Sequence, residues 1–185
     1  MKVRIALSLL FLVAFMVFAF SAVEAQNTYV GVKSCKMCHN KAKTGKQFSI
    51  WSESGHAKAF ETLATEEAKA VAKKAGVEGD PQKADQCLSC HVTGHGASSE
   101  IHGDKLTMEE GVSCEACHGP GSAYKSMKVM KDITAGTIKG ETVGLTTITA
   151  ETCKTCHNPK SPTYKEFNFD EAAKKIAHPI VEIAE

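Results

Sequence analysis

The chain has 185 residues with 22 basic and 21 acidic side chains, so its formal charge near neutral pH is +1. The chain has no strong excess of basic residues, so nothing in this balance suggests a nucleic-acid partner. Aromatic residues make up only 6% of the chain, which indicates that the polypeptide alone would bury a thin apolar core.

The N-terminus has the layout of a secretory signal peptide. Lys2 and Arg4 precede an apolar run over residues 5–20, and Ala25 is a small residue suited to signal-peptidase cleavage. An uncleaved membrane anchor is the alternative, because the sixteen-residue run is almost long enough to span a bilayer. The short run and the good cleavage site favour removal. We therefore predict a cleaved signal peptide over residues 1–25 and no membrane anchor after cleavage.

The remainder, residues 26–185, is expected to form a single domain. Cleavage would remove Lys2, Arg4 and Glu24 and leave 20 basic and 20 acidic side chains. A signal peptide directs the domain out of the cytoplasm, so the predicted location is periplasmic or extracellular.

One short pattern recurs four times and contains every cysteine. It is Cys-x-x-Cys-His, at residues 35–39, 87–91, 114–118 and 153–157. This is the attachment signature of c-type haem, in which two thiols bind the porphyrin and the next imidazole binds its iron. A redox dithiol or a zinc site built from two Cys-x-x-Cys pairs is the alternative, but neither explains the four histidines.

The sequence therefore predicts four covalently bound haem c groups. Their attachment residues are Cys35, Cys38, Cys87, Cys90, Cys114, Cys117, Cys153 and Cys156. The proximal iron ligands are His39, His91, His118 and His157. Four porphyrins would supply the apolar surface that the chain lacks. We expect them to form the core of a mostly α-helical fold with little regular sheet, whose folding depends on haem.

Helical signals occupy the region between the first two motifs. A helix is predicted from about residue 44 into the sixties, since Trp51, His56 and Phe60 recur near helical spacing. A second helix is predicted over residues 65–75. Thr65 is its expected N-cap, acidic residues begin it and lysines end it, which suits the helix dipole.

Later elements are shorter and more irregular. Glycines around His95 predict a turn, and residues 97–111 are polar and favour a loop or a weak strand. A short helix is predicted over 124–130, and residues 133–149 are expected to be the least structured. The last predicted helix covers 167–178 and is stopped by the following proline.

The histidines outside the motifs are candidate distal ligands. They are His56, His95, His102 and His178. Their number permits bis-histidine coordination of all four irons. His56 follows a glycine that leaves room for a flat ring, and His178 stands at a helix end from which it could reach a haem. Met127 and Met130 are alternative ligands, with packing against porphyrin as the favoured interpretation.

His95 and His102 are less clearly placed. His95 follows His91 by four residues, too few to reach the opposite face of the same iron, so it would serve a different haem. His102 lies in the polar segment and carries no other signal for a ligand.

With these residues in place, the chain resembles the cytochrome c-554 family, tetrahaem cytochromes related to the electron acceptor of hydroxylamine oxidoreductase. The resemblance covers about residues 30–93, 111–124 and 153–178. The matching pieces are residues 35–39, Trp51 with residues 56–59, residues 87–92, residues 111–121, residues 153–157 and the helix ending at His178. Their order and spacing make the match specific.

The resemblance implies a mostly α-helical fold with the haems in closely stacked pairs. It implies that His56 is the distal ligand of the haem on His118 and that His178 is the distal ligand of the haem on His157. In the founding member, the haem equivalent to the one on His91 lacks a sixth protein ligand.

The chain departs from the family pattern at the first haem. The distal histidine of that haem would follow Gly119-Pro120-Gly121, but residues 124–128 contain none. His95 is the first substitute for a ligand opposite His39, and His102 is the second.

Electron transfer between redox partner proteins is the leading interpretation, because no second constellation for acid–base or nucleophilic chemistry is evident. A nitrogen-oxide redox enzyme is the alternative, acting at a five-coordinate haem on His91 or His39. A third interpretation is a subunit of an extracellular haem filament, in which His102 would bind an iron of the neighbouring subunit. An oligomer is therefore possible.

Overall fold

The computed structural model describes residues 26–179, so the predicted signal peptide over 1–25 lies outside the described residues. Between residues 26 and 179 the chain forms short helices and no strand, which confirms the mostly α-helical prediction. The α-helices are α1 (Val32–His39), α2 (Gln47–Ser52), α3 (Ala59–Thr62), α4 (Glu66–Lys74), α5 (Asp85–His91), α6 (Ser99–His102), α7 (Cys114–His118), α8 (Met127–Thr134), α9 (Ala150–Lys154) and α10 (Phe169–Ile176). Short 3-10 helices lie at Ala42–Thr44, Pro81–Lys83, Met108–Glu110 and Gly140–Val143.

These helices are too short to be stable alone. The longest α-helix of the described part, α4, has nine residues, whereas isolated helices below about 12 residues are marginal in water. Local caps contribute to their stability. The Thr65 hydroxyl accepts a hydrogen bond from the Ala68 amide at 3.2 Å, which confirms the predicted N-cap. Asn168 caps α10 in the same way, accepting from the Glu171 amide at 3.1 Å.

The predicted continuous helix from residue 44 into the sixties is wrong. Helix α2 ends at Ser52, and a turn precedes α3. Two hydrogen bonds to the distant residue Val112 explain this break in the helix. The Trp51 indole N–H donates to the Val112 carbonyl at 2.9 Å, and the Val112 amide donates to the His56 carbonyl at 3.0 Å. Because His56 bonds this distant segment, it lies in a turn between two helices.

The region after the second motif also differs from prediction. The segment 97–111 contains α6 and a 3-10 helix at Met108–Glu110, not a weak strand. Its polar residues form single helical turns, and its backbone finds no neighbouring strand in the described part. His95 lies in a turn, as predicted. None of the helices between residues 26 and 179 has the length and apolarity that a membrane crossing requires.

The buried apolar core of the described residues is thin. One cluster joins Leu63, Leu88 and Val92, with Phe60 and Cys87 partly buried against it. Few other large apolar side chains are buried in residues 26–179. This agrees with the low aromatic content of the chain.

Gly111 is the contact point that places His56. Its φ is +61°, and a Cβ added there would lie 2.8 Å from the His56 carbonyl oxygen. We therefore expect Gly111→Ala to lower the free energy of unfolding by about 3 kcal/mol or more, from backbone strain and from displacement of the His56 turn. Denaturant unfolding of the haem-loaded protein, followed by circular dichroism, measures this.

Gly76→Ala is the matched control. Gly76 also has a positive φ, +76°, but nothing lies within 4 Å of an added Cβ. The only cost of the alanine is then its left-handed backbone conformation, and we expect the free energy of unfolding to fall by about 1–2 kcal/mol. An equal decrease in the free energy of unfolding for Gly111→Ala and Gly76→Ala would show that the contact with His56 does not contribute to stability.

Candidate functional site

Each motif lies at the end of a helix. Helices α1, α5 and α7 end at the motif histidines His39, His91 and His118, and the fourth motif begins in α9. Cysteines three residues apart on a helix lie on the same face, so both thiols can reach one flat group. All eight cysteines have free, partly buried thiols. Each motif therefore offers two thiols and an imidazole on one side of a single site.

The fold brings the motifs together in an order that differs from their order in the chain. The Glu115 carboxylate accepts from the Gly31 amide at 2.9 Å and so holds the third motif against the first, where Cys35 and Cys114 are neighbours. Cys90 and Cys156 are also neighbours, which brings the second and fourth motifs together. Cys117 lies near both thiols of the fourth motif. Neighbouring thiols therefore link the first motif to the third, the third to the fourth and the fourth to the second.

Two motif histidines face a second imidazole. The ring centres of His118 and His178 are 5.9 Å apart, and those of His56 and His157 are 6.0 Å apart. An iron bonded to two imidazole nitrogens at about 2 Å separates the ring centres by roughly 6 Å. Both pairs therefore have the spacing that bis-histidine coordination requires.

The protonation of these rings also suits iron. Burial lowers the pKa of His56, His118 and His178, and the neighbouring imidazoles of each pair or cluster lower it further. The rings are therefore neutral at neutral pH, and a neutral imidazole is the form that binds a metal.

Hydrogen bonds leave the ligand nitrogens available. Nδ1 of His91 lies 2.7 Å from the Ala59 carbonyl oxygen, and because a carbonyl only accepts, Nδ1 carries the proton and Nε2 keeps its lone pair. Nδ1 of His178 is buried without a hydrogen-bond partner in the described part of the chain. These residues fit a haem iron held by imidazole.

The pairing of the distal histidines differs from the expectation. The resemblance implied His56 opposite His118 and His178 opposite His157. The structure exchanges the partners, so that His178 faces His118 and His56 faces His157. The ring positions favour the exchanged pairing, and which imidazoles share an iron stays a prediction.

A contact far apart in sequence accounts for the position of His178. The side-chain amide of Gln47 donates to the Pro179 carbonyl at 3.0 Å, and this holds the end of the described chain against the start of α2, close to the first motif. His178 therefore lies where the first and third motifs meet, near both His39 and His118.

His95 and His102 face other groups. Nε2 of His95 lies 3.0 Å from an Asp85 carboxylate oxygen, and Nδ1 of His102 lies 3.3 Å from the Gly103 carbonyl oxygen. Both line a cavity of about 360 Å³ just beyond α5. No ring pair like those above is seen for His39 or His91 among residues 26–179. The ligand roles of His95 and His102 stay predictions.

Comparison with known proteins bears on these sites. A family profile described as cytochrome c554 and c-prime matches residues 34–119, which contain the first three motifs. Cytochrome c-554 of Nitrosomonas europaea is 33% identical over 129 residues, which are 68% of this chain and 52% of that protein. A solved structure of reduced cytochrome c554 from Nitrosomonas europaea matches with a TM-score of 0.53 and 29% identity, over 82% of this chain and 79% of that one. The chain belongs to the cytochrome c554 family.

The chain spans about half the length of the curated cytochrome c-554 that it matches. The cytochrome c554 family consists of c-type cytochromes, so the group implied at the motifs is covalently bound haem c. A structural zinc site would need four converging ligands. Between residues 26 and 179 no group of three or more cysteines, histidines and carboxylates converges in that way.

Two carboxylates near the first and third motifs were missed from the sequence. Glu115 is 2% exposed, and its oxygens accept from the amides of Val30, Gly31 and Gly121 at 2.7–3.1 Å. Glu110 accepts from the Val32 amide at 2.9 Å, and burial raises its pKa. These bonds attach the start of α1 to the region of α7.

The sequence did contain a weak signal for Glu115. It is a charged residue between the cysteines of a motif, followed by a Gly-Pro-Gly turn whose Gly121 amide is one of its donors. In this member of the cytochrome c554 family, Glu115 positions the third motif against the first. Phe167 was also missed. Its ring stacks on that of His157 at 4.8 Å and so fixes the plane of that imidazole.

Proposed function

We propose that this protein is a tetrahaem c-type cytochrome that transfers electrons between redox partner proteins outside the cytoplasm. The observation that carries the proposal is the set of four Cys-x-x-Cys-His sites placed next to one another, two of them with a second imidazole at bis-histidine spacing. Haem c supplies one-electron redox chemistry when bound. Export through the predicted signal peptide supports the location.

The residues of this chain would hold and orient the haem groups. The cysteine pairs would carry the thioether bonds, and the imidazoles of His118 and His178 would both hold the iron at one site. His56 and His157 would do the same at another. With both positions filled by protein, these two sites leave no place for a substrate, which favours a carrier over an enzyme.

The site on His91 supports a second candidate function. No second imidazole faces His91 in the described residues, and the 360 Å³ cavity beyond α5 lies directly after it in the chain. An iron with an open position at this site could bind and reduce a small nitrogen oxide.

Electron paramagnetic resonance of the oxidised protein tests the two candidates. Only low-spin signals, together with a mass equal to the processed chain plus four haems, would support a carrier. A high-spin signal that responds to carbon monoxide or nitric oxide after reduction would favour the enzyme. A bare polypeptide mass and no Soret absorption would contradict both.

The exchanged pairing of the distal histidines gives a separate prediction. His178→Ala is expected to create one high-spin iron, because the imidazole opposite His118 is lost. The same should hold in a Cys153→Ala/Cys156→Ala background that lacks the fourth haem. In that background His56→Ala is expected to add no high-spin iron, because its partner site is absent. Paramagnetic resonance counts the signals.

Lys73→Ala is the control for these variants, because this exposed side chain on α4 is no candidate ligand and its loss is expected to leave the spin count unchanged. The opposite result in the fourth-haem background, a new high-spin iron from His56→Ala and none from His178→Ala, would restore the pairing implied by the family.

A further inference from the structure

The segment that carries the first motif has an unusual charge. Residues 26–52 contain five lysines and no acidic side chain. The lysines are Lys33, Lys36, Lys41, Lys43 and Lys46, and all are exposed. None of them forms an ion pair with any group of the described residues. Unpaired exposed charges of one sign generate a positive field over this surface.

The fold gathers these lysines beside the first motif. Lys33 and Lys36 lie three residues apart on α1, which has eight residues and is therefore about 12 Å long. The Thr44 hydroxyl donates to the Cys38 carbonyl at 2.8 Å and folds the following turn, with Lys41 and Lys43, back onto α1. The Lys46 amide donates to the Lys41 carbonyl at 3.1 Å, so all five lysines belong to one folded segment, which we call the lysine patch.

An apolar residue lies within the lysine patch. Met37 is 71% exposed and stands between the two cysteines of the first motif. Methionine is enriched in protein interfaces, whose apolar centres are ringed by polar groups. The lysine patch around Met37 has this arrangement at the edge of a redox site.

The position of the first motif adds a second argument. Neighbouring thiols link the motifs in the order first, third, fourth, second, so the first motif is one end of this series of links. An end site is where electrons enter or leave a row of centres.

We propose that the lysine patch is the docking surface for a redox protein whose own centre is ringed by carboxylates. The inference rests on the proposed electron-transfer function and adds the partner's chemistry and the site of entry. Complementary charge would steer the partner to the first motif and raise the association rate. Met37 would then be covered in the complex.

Other lysines are less suited to this role. On α4, Lys69 pairs with Glu66 at 2.7 Å, and Lys73 and Lys74 share a short helix with acidic residues. On α8, Lys128 pairs with Asp132 at 2.7 Å. In these helices the positive charge is offset by ion pairs, whereas no lysine of the lysine patch forms one; the Glu110 carboxylate near Lys33 is itself buried against the Val32 amide.

Stopped-flow reduction of the haem-loaded protein by an acidic two-iron ferredoxin tests the proposal. The second-order rate constant is expected to fall about tenfold or more as ionic strength rises from about 10 mM to about 0.5 M, because salt screens the steering field. The propionates of bound haem add negative charge, and for that reason the holoprotein is the sample. A rate constant that is flat or rises with salt would overturn the proposal.

Charge reversal locates the surface. Lys41→Glu/Lys43→Glu is expected to lower the rate constant at low salt at least fivefold and to flatten its salt dependence. Lys73→Glu/Lys74→Glu makes the same change in net charge on α4 and is expected to keep most of the rate. If the rate constant fell equally in the two variants, it would depend on net charge alone, and the assignment to the lysine patch would be overturned.

A neutral reductant separates this inference from the proposed function. Photoreduced lumiflavin should reduce wild type and both variants at similar rates. If lumiflavin reduces no haem, the electron-transfer function itself fails. If lumiflavin works but ferredoxin shows no preference for the lysine patch, only the docking inference fails.

Discussion

Glu115→Ala is expected to lower the free energy of unfolding by about 4 kcal/mol or more. The carboxylate accepts from the amides of Val30, Gly31 and Gly121, and all three contacts are buried. Each buried donor left without an acceptor costs about 1–3 kcal/mol, and alanine can replace none of these bonds. Guanidinium unfolding of the haem-loaded protein, followed by far-ultraviolet circular dichroism, measures the change.

Two further variants separate hydrogen bonding from other effects. Glu115→Gln keeps the shape and one carbonyl oxygen, so its loss should be about half that of alanine. Glu109→Ala removes an exposed carboxylate nearby and is expected to leave the unfolding free energy unchanged. If Glu115→Ala were as stable as Glu109→Ala, the three amide bonds would have no role in joining α1 to α7.

A chain made without haem attachment is expected to lose its cooperative fold. The longest described helix has nine residues, and the main apolar cluster rests on Leu63, Leu88 and Val92. Ordering each residue costs about 1–2 kcal/mol of backbone entropy, which so small a core does not offset. Thermal circular dichroism should show a broad, shallow change in place of a transition.

The comparison requires the same chain in two forms. One form is produced with haem attachment and the other without it, and only the first is expected to melt sharply. Cys114→Ser/Cys117→Ser gives an intermediate case that lacks only the third haem, at the site joined to the first. A sharp transition in the haem-free chain would show that the polypeptide core is sufficient.

Features set by neighbouring residues could be predicted from the sequence. Helix α4 was expected over 65–75 and is found over Glu66–Lys74, because its cap and its charges lie within the helix itself. The turn at His95 follows from its flanking glycines. The four motifs predicted the cofactor class because their spacing is itself the chemical requirement.

Features set by distant residues could not be predicted. The break in the helix at His56 depends on Val112, and the partner of His178 depends on a bond between Gln47 and Pro179, 132 residues apart. Periodicity reports which residues share a face of one helix, but it does not report which helices meet. The sequence therefore identified the candidate distal histidines but not which motif histidine each of them faces.

The bonds of Glu115 have a consequence for biosynthesis. Val30 and Glu115 are separated by 85 positions, so a chain that emerges N-terminus first exposes its first Cys-x-x-Cys-His long before its packing partner exists. Haem attachment at the first motif would then act on polypeptide that has not yet folded. The Glu115 carboxylate would bond the start of α1 only after that attachment.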